Sequence, residues 1–343
     1  MTMDLDLNTA WFVLVMILLT GYAVLDGFDL GTGLFVYLAK TDDHRRLVLN
    51  SIGPIWNGNE VWLVTGGGAL FAAFPNVYAT VFSGFYDAFM LLLFALIFRA
   101  VAIEFRSQRE SPRWRRGWDI AFAVASLTTA LLLGVAVGNI AIGIPLDAQR
   151  EYHGGLLGLL NPYAIGVGVV ALSLFIMHAN LYLVLKTEGD LQAQLIRATR
   201  VTVPVYVGLF VLLNVATLFV APHVAAASFG KKVALGVIFL TSIAVTFNIL
   251  RQVRRGNDGW AFLSSAGSIV TLMALFAVSL YPRLVPSRPD LVNSLTIWNG
   301  SSTTKSLGFM FVVALIGIPF VLAYTASIYY VFRGKVKLGA HSY

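Results

Sequence analysis

The sequence contains no cysteine, so the chain can form no disulfide, no thiolate metal site and no thiol nucleophile. Its five histidines share no metal-ligand spacing; they are His44, His153, His178, His223 and His341. The sequence also lacks a phosphate loop, a nucleotide-binding glycine pattern and a Ser/His/Asp arrangement. These absences exclude the common classes of hydrolase, nucleotide-dependent enzyme and thiol enzyme.

Charged residues are scarce as well. Only 12% of the 343 residues are charged and 58% are hydrophobic, whereas soluble domains carry about 25% charged residues. The apolar residues form runs long enough to cross a hydrocarbon core of about 30 Å with about 20 helical residues. We therefore predict an all-α integral membrane protein, with residues 1–343 forming a single polytopic membrane domain and no separate soluble domain.

Nine hydrophobic segments can be distinguished, and each predicts a transmembrane helix. The second is the weakest, because it begins with Asn57, Asn59 and Glu60 and contains three consecutive glycines. Residues 1–8 carry no basic side chain, so the first segment is predicted to be a resident helix and not a cleaved signal peptide. The segments are residues 9–38, 56–74, 77–98, 118–142, 162–185, 201–221, 233–250, 259–281 and 306–332.

The basic residues predict the orientation of these helices. With nine spans, the loops on one side hold 18 of the 24 lysines and arginines and the loops on the other side hold 6. Because basic loops stay in the cytoplasm, this distribution predicts an outside N-terminus and a cytoplasmic C-terminus. The net charge of +7 is thus explained by membrane topology, and we predict no nucleic-acid partner.

Asp26 and Asp29 lie inside the first hydrophobic segment, three residues apart and therefore on one helical face. An ionisable side chain at bilayer depth costs at least about 2.5 kcal/mol and is usually functional. The nearby Gly27, Gly31 and Gly33 allow close approach of a neighbouring helix or of water. We interpret the two acids as a proton-accepting pair. The alternative is that they only bond to neighbouring helices or reach the cytoplasmic water layer.

The second segment opens with a polar motif between two tryptophans. Asn57 and Glu60 share a helical face, and Trp56 and Trp62 lie nearby. A carboxylate, amides and indole N–H groups can line a short hydrated path. An interfacial aromatic belt with a polar cap is the alternative, because tryptophan concentrates at membrane surfaces.

The third segment contains Asp87, which is a candidate to pair with a cation or to join a proton relay. Arg99 and Arg106 follow at its end, and we interpret them chiefly as part of the cytoplasmic basic belt. In the fifth segment, His178 and Asn180 are predicted to hydrogen-bond across helices, with haem ligation by the lone histidine as the alternative.

The stretch GYAVLDGFDLGTG, residues 21–33, resembles the N-terminal signature of subunit II of cytochrome bd-type quinol oxidases. The resemblance spans nearly the whole chain and is most specific in its first hundred residues. It continues through residues 50–63, 67–75, 82–86, 98–99, 106–107, 113–119, 138–139, 160–162 and 294–298.

This resemblance implies the non-haem subunit of a bacterial inner-membrane oxidase that oxidises quinol, reduces dioxygen to water and generates proton-motive force. It implies nine helices in two four-helix bundles plus one peripheral helix. Haem b and haem d are expected in the partner, subunit I, and no cofactor is expected in this chain, although some members carry a structural quinone. A small single-helix accessory subunit, membrane lipids and quinone are the further expected partners.

The resemblance also assigns proton delivery from the cytoplasm to Asp26, Asp29 and the tryptophan-glycine motif. Several family members have an aspartate where this chain has Asn57 and a glutamine where it has Glu60, so the carboxylate has moved along the helix. Trp62 matches a position that narrows an oxygen tunnel in some members. Trp56, Asp87 and Arg99 are further candidates for the proton pathway or for a role related to quinone or oxygen. The brief loop at residues 221–231 is typical of a short-type subunit, for which cyanide insensitivity is the expectation.

Two further classes of protein have many spans and buried acids. One is a transporter or channel that uses the carboxylates, although such proteins often contain inverted repeats and this sequence contains no convincing one. The other is a structural membrane subunit whose acids only hold helices together. Quinol-driven oxygen uptake by the assembled complex distinguishes the oxidase subunit from both.

Overall fold

Helices make up nearly all of the structure, a computed structural model that describes residues 6–220 and 228–339. Two of the histidines, His223 and His341, and most of the loop at residues 221–231 lie outside the described residues. In chain order the helices are α1 (Leu7–Leu25), α2 (Gly27–Leu38), α3 (Asp42–Ile52), α4 (Trp56–Ala73), α5 (Pro75–Gly84), α6 (Tyr86–Arg106), α7 (Pro112–Ile142), α8 (Leu156–Leu159), α9 (Pro162–Lys186), α10 (Gly189–Val220), α11 (Phe229–Arg255), α12 (Asp258–Leu280) and α13 (Thr304–Val331).

Eight helical segments within the described ranges are long and apolar enough to cross a membrane. They are α1 together with α2, followed by α6, α7, α9, α10, α11, α12 and α13. Helix α4, the predicted second span, is not among them, because its first turns are polar. It has 18 residues, which corresponds to about 27 Å of helix, and it packs along α1. The predicted total of nine spans and the two-bundle arrangement therefore stay predictions.

The predicted third span, residues 77–98, is wrong at both ends. The chain forms the short helix α5, which starts at Pro75, and then turns at Phe85 before α6 begins at Tyr86. The apolar run thus divides between two helices, and the membrane-length helix extends to Arg106. The hydropathy pattern could not separate α5 from α6, because the turn between them consists of apolar and small residues. Asp87 therefore lies in the first turn of α6.

Small residues explain the closest helix contacts. A Cβ on Gly134 of α7 would come within 2.6 Å of the Gly168 Cα on α9, and one on Gly138 would come within 2.7 Å of the Ala164 Cα. Such contacts between backbones are the usual basis of helix association in lipid, where van der Waals packing replaces the hydrophobic effect. Helix α2, which carries Asp29, packs against both α7 and α9 and so belongs to this tightly packed group.

The predicted all-helical class has one exception in the described chain. Between α12 and α13, strand β1 (Arg283–Val285) pairs antiparallel with β2 (Leu295–Thr296), and a short 3₁₀-helix lies between them at Leu291–Asn293. The two strands lie between the last two predicted hydrophobic segments, in residues 282–305, and pair as a hairpin. The fold is otherwise helical, as the hydropathy pattern predicts.

Candidate functional site: a buried ion pair at a helix break

The first membrane-length segment is divided at Asp26. Helix α1 ends at Leu25, and Asp26 is both its C-cap and the N-cap of α2. The glycines of α2 let this region approach its neighbours, since a Cβ on Gly31 would lie 2.0 Å from the Phe175 carbonyl oxygen. The predicted role of these glycines in close helix packing is confirmed. The break also places the N-terminus of α2, with its partial positive charge, beside the acids.

Asp26 forms a bidentate ion pair with Arg99 of α6. The Nη1 atom of Arg99 donates to Oδ2 at 2.9 Å, and Nη2 donates to Oδ1 at 2.5 Å. Both side chains have an exposed fraction of 0%. Our assignment of Arg99 to the cytoplasmic basic belt is therefore wrong. A buried carboxylate must be neutralised or paired, and Arg99, with its planar guanidinium, provides that partner for Asp26.

Asp29 adds a second carboxyl group to the same site. Its Oδ2 lies 4.0 Å from Nη2 of Arg99 and accepts a hydrogen bond of 2.8 Å from Nδ2 of Asn59, while its Oδ1 has no partner among the described residues. Asp29 is also fully buried. The predicted proximity of the two acids is confirmed. With both ionised, the two acids and one arginine carry one excess negative charge, which a single added proton cancels.

Asn59 is a site residue that our reading of the motif missed. Its Nδ2 also donates to the Leu25 carbonyl at 3.0 Å, and its Oδ1 accepts from the Tyr329 hydroxyl of α13 at 3.0 Å. A sequence signal was present, because Asn59, Gly66 and Ala73 recur every seven residues and form the buried face of α4. Tyr329 lies in a uniformly apolar helix and gives no such signal.

The residues we predicted from the tryptophan motif lie at different depths. Asn57 is exposed, Glu60 is partly buried and Trp56 is buried. Glu60 lies within electrostatic range of Arg99 and Asp26, so it belongs to the edge of the site. Trp62 packs against α1, where a Cβ on Gly21 would meet its ring at 2.3 Å.

Asp87 does not join the site. It is exposed in the first turn of α6, three helical turns before Arg99 on the same helix. Its predicted pairing with a cation or role in a proton relay stays a prediction.

Arg106, the second arginine we assigned to the basic belt, is also buried in an ion-pair network. Its Nε donates to Asp119 of α7 at 2.6 Å and its Nη2 to Asp42 of α3 at 2.6 Å. Arg115 contacts the other oxygen of Asp42 at 2.9 Å. Partial burial on its own raises the pKa of Asp42. The hydrogen bonds and positive charges of Arg106 and Arg115 outweigh this effect and hold the pKa below its ordinary value. This network joins α3 to the ends of α6 and α7.

The predicted hydrogen bonds of His178 and Asn180 across helices are confirmed. His178 contacts Ser265 Oγ of α12 through Nδ1 at 2.6 Å and the Val24 carbonyl of α1 through Nε2 at 3.1 Å. The side chain of Asn180 contacts Thr202 Oγ1 of α10 at 3.0 Å. Because protein groups occupy both imidazole nitrogens, His178 does not fit the role of an axial haem ligand. The described residues also contain no group of three or more His, Cys, Asp or Glu side chains that could hold a metal ion.

The fold and this site define a class: a polytopic helical membrane protein with a charged cluster buried at a helix break. The family described as cytochrome bd terminal oxidase subunit II matches residues 7–332. The chain belongs to this family, and it is therefore a subunit of a respiratory quinol oxidase, an oxidoreductase complex of the membrane. Membership in this family opposes the transporter hypothesis.

Individual relatives agree. The chain is 33% identical to cytochrome bd-I ubiquinol oxidase subunit 2 of Escherichia coli strain K12, covering 96% of this chain and 95% of the relative. It is 35% identical to cytochrome bd ubiquinol oxidase subunit 2 of Bacillus subtilis, covering 97% of each. A chain from the bd oxidase structure of Geobacillus thermodenitrificans has the same fold, with a TM-score of 0.79 at 15% identity over 96% of this chain and 99% of that one.

Proposed function

We propose that this chain is the non-haem subunit of an oxidase that oxidises membrane quinol, reduces dioxygen to water and generates proton-motive force. In this proposal it pairs with a haem-bearing subunit I, which holds haem b and haem d, and it conducts protons from the cytoplasm towards that partner. The observation that carries the proposal is the buried site of Asp26, Asp29 and Arg99, in which two carboxyl groups lie within 4.0 Å of one guanidinium group.

The charges of this site suit a group that binds and releases protons. Arginine side chains stay cationic in proteins. The two hydrogen bonds of Arg99 fix the position of the Asp26 carboxylate. Asp29 holds the remaining proton-binding capacity, since only one of its oxygens is bonded. An added proton at Asp29 neutralises the site, and its loss restores one negative charge. Coulomb interactions are strong at this depth because little solvent screens them.

The neighbours of the pair suggest a direction for the route. Glu60 is partly buried and interacts electrostatically with Arg99, and Asn57 has its side chain exposed on α4. A polar amide at membrane depth is unfavourable against lipid. We therefore place the contact with subunit I at this face of α4, so that protons pass from Asp29 past Glu60 to the partner.

We also propose the cytoplasmic location of the C-terminus and the outside location of the N-terminus. This orientation rests on the threefold excess of basic residues in one set of loops. A reporter enzyme fused to the C-terminus, active only in the cytoplasm, tests it; activity of a periplasm-specific reporter at the same position would overturn it. The accessory subunit, a bound quinone and the cyanide response stay predictions from family resemblance.

Asp29→Asn tests the proton route, because an asparagine keeps the size of the side chain but cannot carry a proton. In the assembled oxidase we expect wild-type haem content and quinol-driven oxygen uptake lowered at least about tenfold, a loss of the size typical for removed proton-transfer groups. Asp190→Asn, at the exposed start of α10, is the matched control. Wild-type oxygen uptake and wild-type proton release by liposomes containing Asp29→Asn would overturn the proposed route.

A further inference from the structure

The break at Asp26 leaves two consecutive carbonyl groups that side chains from different helices bind. The Leu25 carbonyl accepts from Asn59 of α4 at 3.0 Å, and the Val24 carbonyl contacts Nε2 of His178 at 3.1 Å. A carbonyl oxygen can only accept a hydrogen bond, so Nε2 carries a proton and donates it. The end of α1 is therefore held from two sides, by α4 and by α9.

Asn59 also contacts Asp29 directly, but His178 touches neither aspartate. It contacts the backbone two residues before Asp26. Its own position is fixed, because Nδ1 lies 2.6 Å from Ser265 Oγ and the ring stacks on Phe262 with a centroid distance of 4.7 Å and an interplanar angle of 4°. The side chain has an exposed fraction of 0%. Such a histidine is a rigid support and not a proton carrier exchanging with water.

We infer that His178 is a positioning residue: it holds the end of α1 at the helix break and thereby sets where Asp26 lies relative to Arg99. This inference rests on the proposed proton route for its functional consequence, but the structural part can be tested alone. Helix carbonyls without a partner are costly in a membrane. Without the imidazole, the end of α1 loses one of its two side-chain contacts. Asp26 then shifts as well, because it lies only two residues after Val24, whose carbonyl His178 binds.

The pH response of the site depends on all the charged and titratable groups that face the break. They come from each packed helix: Tyr22 on α1, Asp29 on α2, Glu60 on α4, Arg99 on α6, Tyr182 on α9 and Tyr329 on α13. A shift of Asp26 changes its distance to several of them at once. The pH profile of turnover is therefore a sensitive readout of its position.

His178→Phe in the assembled oxidase is the test, because it keeps the aromatic contact with Phe262 and removes both hydrogen bonds. The control is Tyr206→Phe, which removes another buried bond between helices, to Ser268 of α12 at 2.6 Å, in which neither α1 nor α2 takes part. His178→Gln is the rescue variant, since its amide can donate to the Val24 carbonyl. Hydrogen exchange of the peptide around residues 22–30 and the pH profile of quinol oxidation are measured for each.

We expect His178→Phe to raise hydrogen exchange at the break. We also expect the pH at which quinol oxidation is half-maximal to shift by about half a unit, which corresponds to one hydrogen bond between membrane helices. His178→Gln should recover most of this shift, and Tyr206→Phe should cause neither change. Unchanged exchange at the break would overturn the inference, and so would raised exchange with an unchanged pH profile.

A substitute variant and a separate criterion for the proposed function complete the experiment. If His178→Phe does not assemble, Ser265→Ala replaces it, because loss of the outer bond frees the ring and should cause a smaller change of the same kind; no change in that variant overturns the inference. Failure of the proposed function is recognised separately. It would leave Asp29→Asn with a wild-type rate, whereas failure of the positioning role leaves exchange at the break unaltered.

Discussion

Arg99 and Asp26 are 73 residues apart in the sequence and form two parallel hydrogen bonds, of 2.9 and 2.5 Å, at a depth that solvent does not reach. This pair joins the end of α1 to the middle of α6. Because neither partner is exposed, removing Arg99 leaves two buried carboxyl groups without their cation, whereas removing Asp26 leaves Arg99 with Asp29 at 4.0 Å. The pair is thus a structural requirement as well as part of the proposed proton site.

The first prediction concerns this mutual dependence. Arg99→Gln alone should destabilise the assembled complex by about 3–5 kcal/mol, the usual cost of breaking a buried ion pair from one side, and Asp26→Asn should cost less, because Asp29 stays 4.0 Å from Arg99. The double variant should recover part of the Arg99→Gln loss, because Asp29 is then the one remaining carboxyl group of the trio. Thermal unfolding of the purified complex measures each value. Additive losses in the double variant would show that the two side chains do not depend on each other.

The second prediction separates the two amides of α4. Asn59 contacts Asp29, the Leu25 carbonyl and Tyr329, whereas Asn57 is exposed. Asn59→Ala should lower stability by about 1–3 kcal/mol, because it leaves buried polar groups without partners. Asn57→Ala should change the stability of this chain much less. Melting temperatures of the two variant complexes decide the matter, and a larger effect at Asn57 would contradict our assignment of the buried face.

Long apolar runs could be recognised from the sequence because composition alone determines where a helix is stable in lipid. The helices at residues 162–186 and 258–280 accordingly match their predicted segments closely. The acids at Asp26 and Asp29 could also be identified, since an ionisable residue inside an apolar run is conspicuous. These inferences need only local information.

The identity of each charge partner could not be predicted, because it depends on which helices pack together. Nothing near Arg99 in the sequence distinguishes it from a basic residue at a membrane surface, and only the packing of α6 beside the break makes it a buried partner of Asp26. The inward position of Asn59 was missed for a related reason. Likeness to other sequences indicated a motif, but the rotation of α4 decides which of its amides faces inward.

The third prediction concerns Glu60, which lies at the edge of the site. Glu60→Gln should lower quinol-driven oxygen uptake about tenfold or more, because an amide cannot carry a proton, while haem content stays at the wild-type level. Glu188→Gln, which alters an exposed acid between α9 and α10, is the control. An assembled Glu60→Gln oxidase with the wild-type rate would remove this residue from the route.

The fourth prediction concerns the pH dependence of the Asp42 network. Arg106 and Arg115 lower the pKa of Asp42 below its ordinary value of 3.8. A lowered pKa in the folded state means that the ionised form contributes stability above pH 3.8, and that this contribution is lost as the pH falls through the folded-state value. Asp42→Asn should therefore melt below the wild type at neutral pH and converge with it in strong acid. A constant difference at every pH would exclude this explanation.

The fifth prediction tests the packing that brings the acids to their partners. A Cβ on Gly31 would lie 2.0 Å from the Phe175 carbonyl oxygen and 2.7 Å from the Ala179 Cβ. The first of these atoms belongs to the backbone of α9 and cannot rotate away, so α2 and α9 must separate. Such overpacking costs about 1–3 kcal/mol or more, although alanine itself favours a helix over glycine by about 1 kcal/mol.

Gly31→Ala should therefore lower the yield and the melting temperature of the assembled complex. Gly208→Ala in α10 is the matched control, because a Cβ there meets nothing within 4 Å and should leave stability unchanged or slightly raised. If both variants assembled and melted alike, the close contact between α2 and α9 would be wrong. The position of Asp29 between α4 and α9 would then lose its physical basis, because Asp29 lies only two residues before Gly31.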